Sequence, residues 1–266
     1  DCFELTLFQK RKNKHLYFID DSPEEFFILS NKNNKKNFAL FKTKITEPRD
    51  QNWKVFVEHR QNELLEDFQI FKNYVVLETR RNGLPQLLVV NRNNKKKNYI
   101  EFKDSSYDVC LSTNPKYDTN SFKYTYSSLK TPLTIYTQNF FSHKKRKVWQ
   151  QNLNNHNENS YVTKRLLIKA RDGKKIPVSL IHKKGINLSL APLLMYGYGS
   201  YGLIVEPSFK LSFLPLVDDG FIFAIAHIRG GQDLGRDWYD QGRMMNKMNT
   251  FFDFIDCTKE LHKKNI

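Results

Sequence analysis

The sequence predicts two joined architectures: an all-β part of propeller type over residues 1–151, then the front end of a parallel α/β sheet over 161–266. Three observations carry this. The first half is a succession of short strands separated by polar turns. Those strands recur in blocks near 5–59, 66–103 and 106–150, each with about four strands, a period of roughly 40–50 residues of the kind propeller blades show. After the polar connector NLNNHNENS (152–160) the rhythm changes to hairpin, strand, helix, buried strand, helix. Periodicity alone also permits a β-sandwich for the first half.

In chain order, HLYFID (15–20), EFFILS (25–30), NFALFKT (37–43) and WKVFVEH (53–59) make the first block. FQIFKNYVVLETRRNGLPQLLVVNR (68–92) follows, with turns at Lys72-Asn73 and Asn82-Gly83. YDVCLST, FKYTYSSL, PLTIYTQ and KRKVWQQ (145–151) form the third. Beyond the connector, RLLIKARDGKKIPVSLIHKK (165–184) reads as a hairpin turning at Asp172-Gly173. PLLMYGYG (192–199) is a strand running into a glycine turn, and PSFKLSFLPLVDDG (207–220) fits a helix kinked by Pro215 and closed by Gly220. FIFAIAHI (221–228) is apolar enough for a strand covered on both faces. TFFDFIDCTKELHKK (250–264) completes the set as a helix, with Thr250 and Asp253 in capping-box spacing.

Composition excludes several classes. Hydrophobic residues make up 39% of the 266 and aromatics 14%, enough for a sizeable core and against wholesale disorder. No apolar run reaches the roughly 18–20 residues of a membrane span, so no membrane partner is expected. The opening DCFELTLFQKRKNKH lacks the order of a secretory signal, and a start at Asp1 rather than Met suggests an upstream part. Cys2, Cys110 and Cys257 are an odd, scattered set that reads as free thiols of a reducing compartment, the cytoplasm by default. No metal-ligand spacing occurs among histidines and cysteines, and no cofactor is implied.

The net charge of +15 invites a polyanion reading. The cations, however, cluster with asparagine in NKNNKKN (31–37), NRNNKKKN (91–98) and HKKRK (143–147), which read as solvated hairpin loops rather than a nucleic-acid surface.

The chemistry-bearing motif is YGYGSYG (196–202). It misses the nucleophile-elbow pattern G-x-S-x-G because Tyr198 stands where the first glycine belongs. Its place after the third strand of the second half is where α/β-hydrolases keep an oxyanion donor, one β-α step ahead of the nucleophile.

The segment from Tyr161 onward resembles the prolyl oligopeptidase family of serine peptidases, most closely its oligopeptidase B branch. The resemblance rests on ARDG-KKIPVSL (170–180), YGYGSYG, DGFIFAIAHIRGG (219–231), LGRDWYDQGR (234–243) and NTFFDFID (249–256), with KKNFALFKT (35–43) and YSSLKTP (126–132) upstream. It implies a seven-bladed β-propeller with an α/β-hydrolase domain, of which about three blades and the N-terminal part of the hydrolase sheet lie here. The substrates implied are short peptides, cleaved after Lys or Arg through an acyl-enzyme.

The same resemblance makes Tyr198 the oxyanion donor, a role whose loss costs on the order of 100–1000-fold in rate. Tyr201 becomes a candidate substrate contact by the same resemblance, and Ser200 a small turn residue. Arg229 is a candidate substrate contact because it lies at the carboxyl end of the buried strand, where open α/β sheets gather ligands. His227, inside an apolar strand and ahead of the last-in-order place of a triad histidine, reads as a core histidine. The family's R-G-G-G-E appears as Arg229-Gly230-Gly231-Gln232-Asp233, so Gln232 removes a glycine's freedom at positive φ.

No G-x-S-x-G occurs in the 266 residues. The resemblance puts the serine, aspartate and histidine of the triad, and the acids that read Lys or Arg, beyond Ile266, and the early blades before Asp1. The chain by itself is therefore expected to be inactive, with an unpaired sheet edge that favours aggregation. The missing parts of the same protein are candidate partners. Two other readings stand beside this one: a non-catalytic propeller-type module that binds a peptide or protein, and a polyanion binder.

Overall fold

The computed structural model describes residues 6–154 and 156–266; Cys2 lies outside them. The first half is three consecutive four-stranded antiparallel meanders. The first contains β1 (Tyr17–Asp21), β2 (Glu25–Ser30), β3 (Ala39–Lys44) and β4 (Lys54–Val57). The second contains β5 (Glu63–Ile70), β6 (Tyr74–Arg81), β7 (Leu84–Asn91) and β8 (Lys97–Tyr99). The third contains β9 (Tyr107–Leu111), β10 (Ser121–Ser128), β11 (Thr134–Asn139) and β12 (Lys145–Gln150).

The middle sheet shows why these are blades and not halves of a sandwich. Side chains of β6 and β7 alternate between two separate cores. Val75, Leu77, Leu88 and Val90 pack on Phe27, Leu29 and Leu40 of the first sheet. Val76, Leu87 and Val89, pointing the other way, pack on Val109, Phe122 and Tyr124 of the third. A sheet covered on both faces needs a near-continuous apolar run, which is how YVVL and LLVV read. The sheets therefore stack in series, as blades do.

The second half is a mixed sheet of β13 (Tyr161–Lys169), β14 (Lys175–Lys183), β15 (Leu193–Tyr196) and β16 (Ile222–Ala226), in the order β13-β14-β16-β15. β13 and β14 form the expected hairpin, and β15 and β16 run parallel. All five residues of β16 are buried, as its apolar run predicts. β15 lies at the edge, with Leu194 and Tyr196 exposed.

Two helix expectations need correction. The helix expected over 207–220 is only α1 (Leu214–Asp218), because Pro215, lacking an N–H, fits a first helical turn and so begins the helix instead of kinking it. The last helix, α3 (Met248–Lys263), starts two residues early, and no side chain caps it. Thr250 and Asp253 do not form a capping box, since both bond to neighbouring loops. A short α2 (Arg236–Asp240) lies between.

The halves meet through a buried apolar cluster in which Leu129 packs with Ile181 and Phe223. Arg80 of β6 adds an ion pair across the boundary to Glu206. Among the described residues, no helix is long and apolar enough to cross a membrane.

Candidate active site

At the carboxyl ends of the parallel strands β15 and β16, where open α/β sheets gather ligands, two glycine loops are pressed together. Gly202 N–H donates to Gly230 O at 2.9 Å, pairing the turn after β15 with the loop after β16. A Cβ on Gly230 would stand 2.0 Å from the Gly199 carbonyl oxygen, and one on Gly199 2.4 Å from Thr250 Cγ2. Gly199 also needs φ +63°. Side chains are excluded here by contact and by backbone conformation together.

The turn is held from beneath by the start of α3. Lys247 donates to Gly199 O at 2.5 Å and to Ser200 Oγ at 2.7 Å. Thr250 Oγ1 donates to Arg229 O at 2.8 Å. Burial lowers the Lys247 ammonium below its ordinary range. Ser200 thus accepts a bond from an ammonium, has no general base, and occupies a small-residue position in a crowded turn.

Tyr198 projects from this turn 43% exposed, and Tyr201 is 82% exposed at φ +57°. Tyr201 and Ser200, with Tyr239, Arg243 and Lys247, border a cavity of about 260 Å³. Both tyrosines are therefore accessible to a ligand. Arg229 is not. It is 2% exposed, and its guanidinium bonds Asp253 and Asp172 and lies over the Trp238 ring. Although burial opposes its charge, the two aspartates hold Arg229 protonated above its usual range. The expectation that Arg229 contacts substrate is corrected by this geometry: it ties the loop after β16 to α3 and to the β13–β14 turn. Gln232 keeps out of the positive-φ region, and its side chain accepts from Arg236 at 3.0 Å.

A second constellation escapes sequence reasoning. His227 Nδ1 lies 2.8 Å from Asp233 Oδ1, and its Nε2 lies 2.8 Å from Ser179 Oγ. Ser179 Oγ in turn lies 2.8 Å from Ser106 Oγ in the propeller. With His227 neutral and its Nδ1–H donating to Asp233, each bond is satisfied in one direction: Ser106 to Ser179 to His227. This is the residue set of a serine-protease triad, but Ser179, His227 and Asp233 are at most 4% exposed. The row links the core of the sheet to the blades, and a substrate carbonyl has no route to it.

Beside it, Arg80 bonds Glu66 and Glu206. Burial would discharge this guanidinium, yet the two carboxylates hold it protonated. Burial pushes both Glu206 and Glu78 up to about 7, each offset in part by a bond, to Arg80 and to Leu111 N–H respectively. Ser106 to Ser179 spans 73 positions and Arg80 to Glu206 spans 126, so no local pattern announces them. Lys247 did carry a signal, because a cation opening a helix opposes the dipole and calls for another partner. Among the described residues, no three His, Cys, Asp or Glu side chains converge as metal ligands would.

Comparison with known proteins bears on this geometry. The family profile described as the prolyl oligopeptidase N-terminal β-propeller domain matches residues 3–152, and that of the prolyl oligopeptidase family matches 207–266. The chain is 37% identical to dipeptidyl aminopeptidase BI of Pseudoxanthomonas mexicana over 97% of its own length and 36% of the relative's. It is 32% identical to protease 2 of Moraxella lacunata, covering 98% of this chain and 37% of that protein. Among solved structures, oligopeptidase B of Leishmania major superposes with a TM-score of 0.90 at 30% identity, covering 96% of this chain and 37% of that one. The chain thus spans little more than a third of the length of these relatives.

Proposed function

Because the chain belongs to the prolyl oligopeptidase family, a family of serine peptidases, we propose that it is the propeller-to-hydrolase segment of a serine oligopeptidase. In this reading the whole enzyme cleaves short peptides after Lys or Arg, with Tyr198 donating its phenol to the oxyanion. The carrying observation is the presentation of Tyr198: a half-exposed phenol on a turn locked by Gly199, Gly230 and Lys247 at the open end of a parallel strand pair. A neutral donor held rigidly at such a place stabilises charge that develops only in the transition state. The likeness to oligopeptidase B supports the preference for basic residues. The free thiols of Cys110 and Cys257 suit a cytoplasmic setting.

The 266-residue chain by itself does not hydrolyse peptides in this reading. Ser200, on the glycine turn, faces an ammonium, and the two serines that bond a histidine, Ser179 and Ser30, are both buried. The experiment is an Arg-containing fluorogenic peptide assayed alongside a serine-directed fluorophosphonate label. No turnover and no labelling are expected. Turnover accompanied by covalent labelling would overturn this reading of the isolated chain.

A further inference from the structure

The β2–β3 turn, NKNNKKN in sequence, does not simply project into solvent. Asn31, Asn34 and Lys36 from this turn, with Lys14 ahead of β1, face Arg236, Asp240 and Arg243 of the hydrolase half across a cavity of about 460 Å³. The two walls are fastened beside it: Asn37 Oδ1 accepts from Arg236 N–H at 2.9 Å, and Lys36 pairs with Asp237 at 2.6 Å. The guanidinium groups of Arg236 and Arg243 each lie 4.9 Å from the centre of the Tyr239 ring, which restrains both before any ligand arrives.

Charge in this cavity is not balanced. Lys36 is matched by Asp237, and Arg243 by Asp240 at 2.7 Å. Arg236 makes only a neutral side-chain bond, to Gln232, and Lys14 has no carboxylate partner among the described residues. Among the described residues, one unmatched cation therefore comes from each half, around a space of the size that holds small ligands. A guanidinium fork and an ammonium on opposite walls suit an anion whose charges are spread along its length.

We propose that this cavity binds a polyphosphate, an anion of two or more linked phosphate groups, which bridges the propeller to the hydrolase half. Arg243 also borders the cavity beside Tyr201 and Lys247, so the bound anion sits one side chain from the glycine turn and braces it.

The test is calorimetric titration of the 266-residue chain at fixed ionic strength, with inorganic tripolyphosphate in one arm and adenosine triphosphate in the other. Saturable one-to-one binding is expected. Arg236→Gln and, separately, Lys14→Asn should each weaken it about tenfold or more, the scale of one charge-assisted bond. Lys14→Asn sits on an exposed turn whose positive φ asparagine accepts, so it reports even if Arg236→Gln lowers the folded yield. A Lys144→Gln, Lys145→Gln double variant in the distant hairpin should change affinity less than about twofold, because screening leaves only the local charges effective. Equal affinity in both arms identifies the phosphate chain as the recognised part, and tighter nucleotide binding adds a base contact to it. The proposal fails if neither anion saturates, or if the hairpin variant loses as much affinity as the cavity variants.

Discussion

A serine meets a histidine in one part of this molecule and a lysine in another, and the two places could hardly be used more differently. Ser179 sits in the middle of a strand, 2.8 Å from an imidazole that is itself held by an aspartate, and it is sealed from water. Ser200 sits on a turn at a cavity mouth, 2.7 Å from an ammonium that has no proton-accepting role. The first has the proton chemistry of a nucleophile and no access; the second has access and no base. Residue identity and spacing therefore do not make a site. Reactivity requires a base, an oxyanion donor and a route for the substrate at one point, and neither serine brings these together.

The scaffold shared by the two places should give the largest effect when broken. Arg229 lies between His227 and Asp233 of the buried row in sequence and packs beneath the open turn, with Asp253 wholly buried against it. Asp253→Ala leaves a buried guanidinium with Asp172 alone, and should cost about 3–5 kcal/mol. Urea denaturation would read this as a lower midpoint. Loss of protection in both the 197–202 and 227–233 segments by hydrogen exchange would show that one pair serves both. Loss in one segment alone would separate them.

The next effect is a pH dependence arising between the second and third blades, at Glu78, and where the blades meet the hydrolase half, at Glu206. Glu78 and Glu206 titrate near 7 in the fold, against 4.5 as the ordinary value. Between those values the folded chain binds more protons than the unfolded one, so stability falls as pH rises. Thermal melts should show a decline from about pH 4.5 to 7 and a plateau above it. Glu78→Gln, neutral at every pH, should make the decline shallower and leave the part that Glu206 contributes. An unchanged profile in that variant would remove Glu78 from the account.

The blades and the glycine turn were legible in the sequence because their causes are local. The unbroken apolar runs VVL and LLVV go with two covered faces, and Asn-Gly and Asp-Gly mark the hairpins. The glycines of YGYGSYG mark where backbones crowd, although not that Gly230 is what crowds Gly199. The failures have non-local causes. Thr250 and Asp253 have the spacing of a capping box, but Arg229, 21 and 24 positions away, competes for both side chains and wins. Arg229 looked like a ligand contact because it follows a strand; two distant aspartates, one on the hairpin turn and one on α3, draw it inward. The Ser106–Ser179–His227–Asp233 row joins three separate stretches of chain, and serine on an apolar strand gives no hint of its partner.

The two serines can be set directly against each other, and this is the finest distinction the comparison allows. Ser179→Ala removes the middle of a buried row, stranding Ser106 Oγ and His227 Nε2 without water to replace the bond. Such a loss should cost about 1–3 kcal/mol. Ser200→Ala removes one acceptor from Lys247, which keeps its bond to Gly199 O and can recruit water from the adjoining cavity. Here the cost should stay below about 1 kcal/mol, the net value of an ordinary replaceable hydrogen bond. Paired urea midpoints measure the difference, and equal costs would mean that the buried row has a water channel. A larger cost at Ser200 than at Ser179 would make the glycine turn depend on its serine, and Lys247 would then hold the turn chiefly through that hydroxyl instead of through the Gly199 carbonyl.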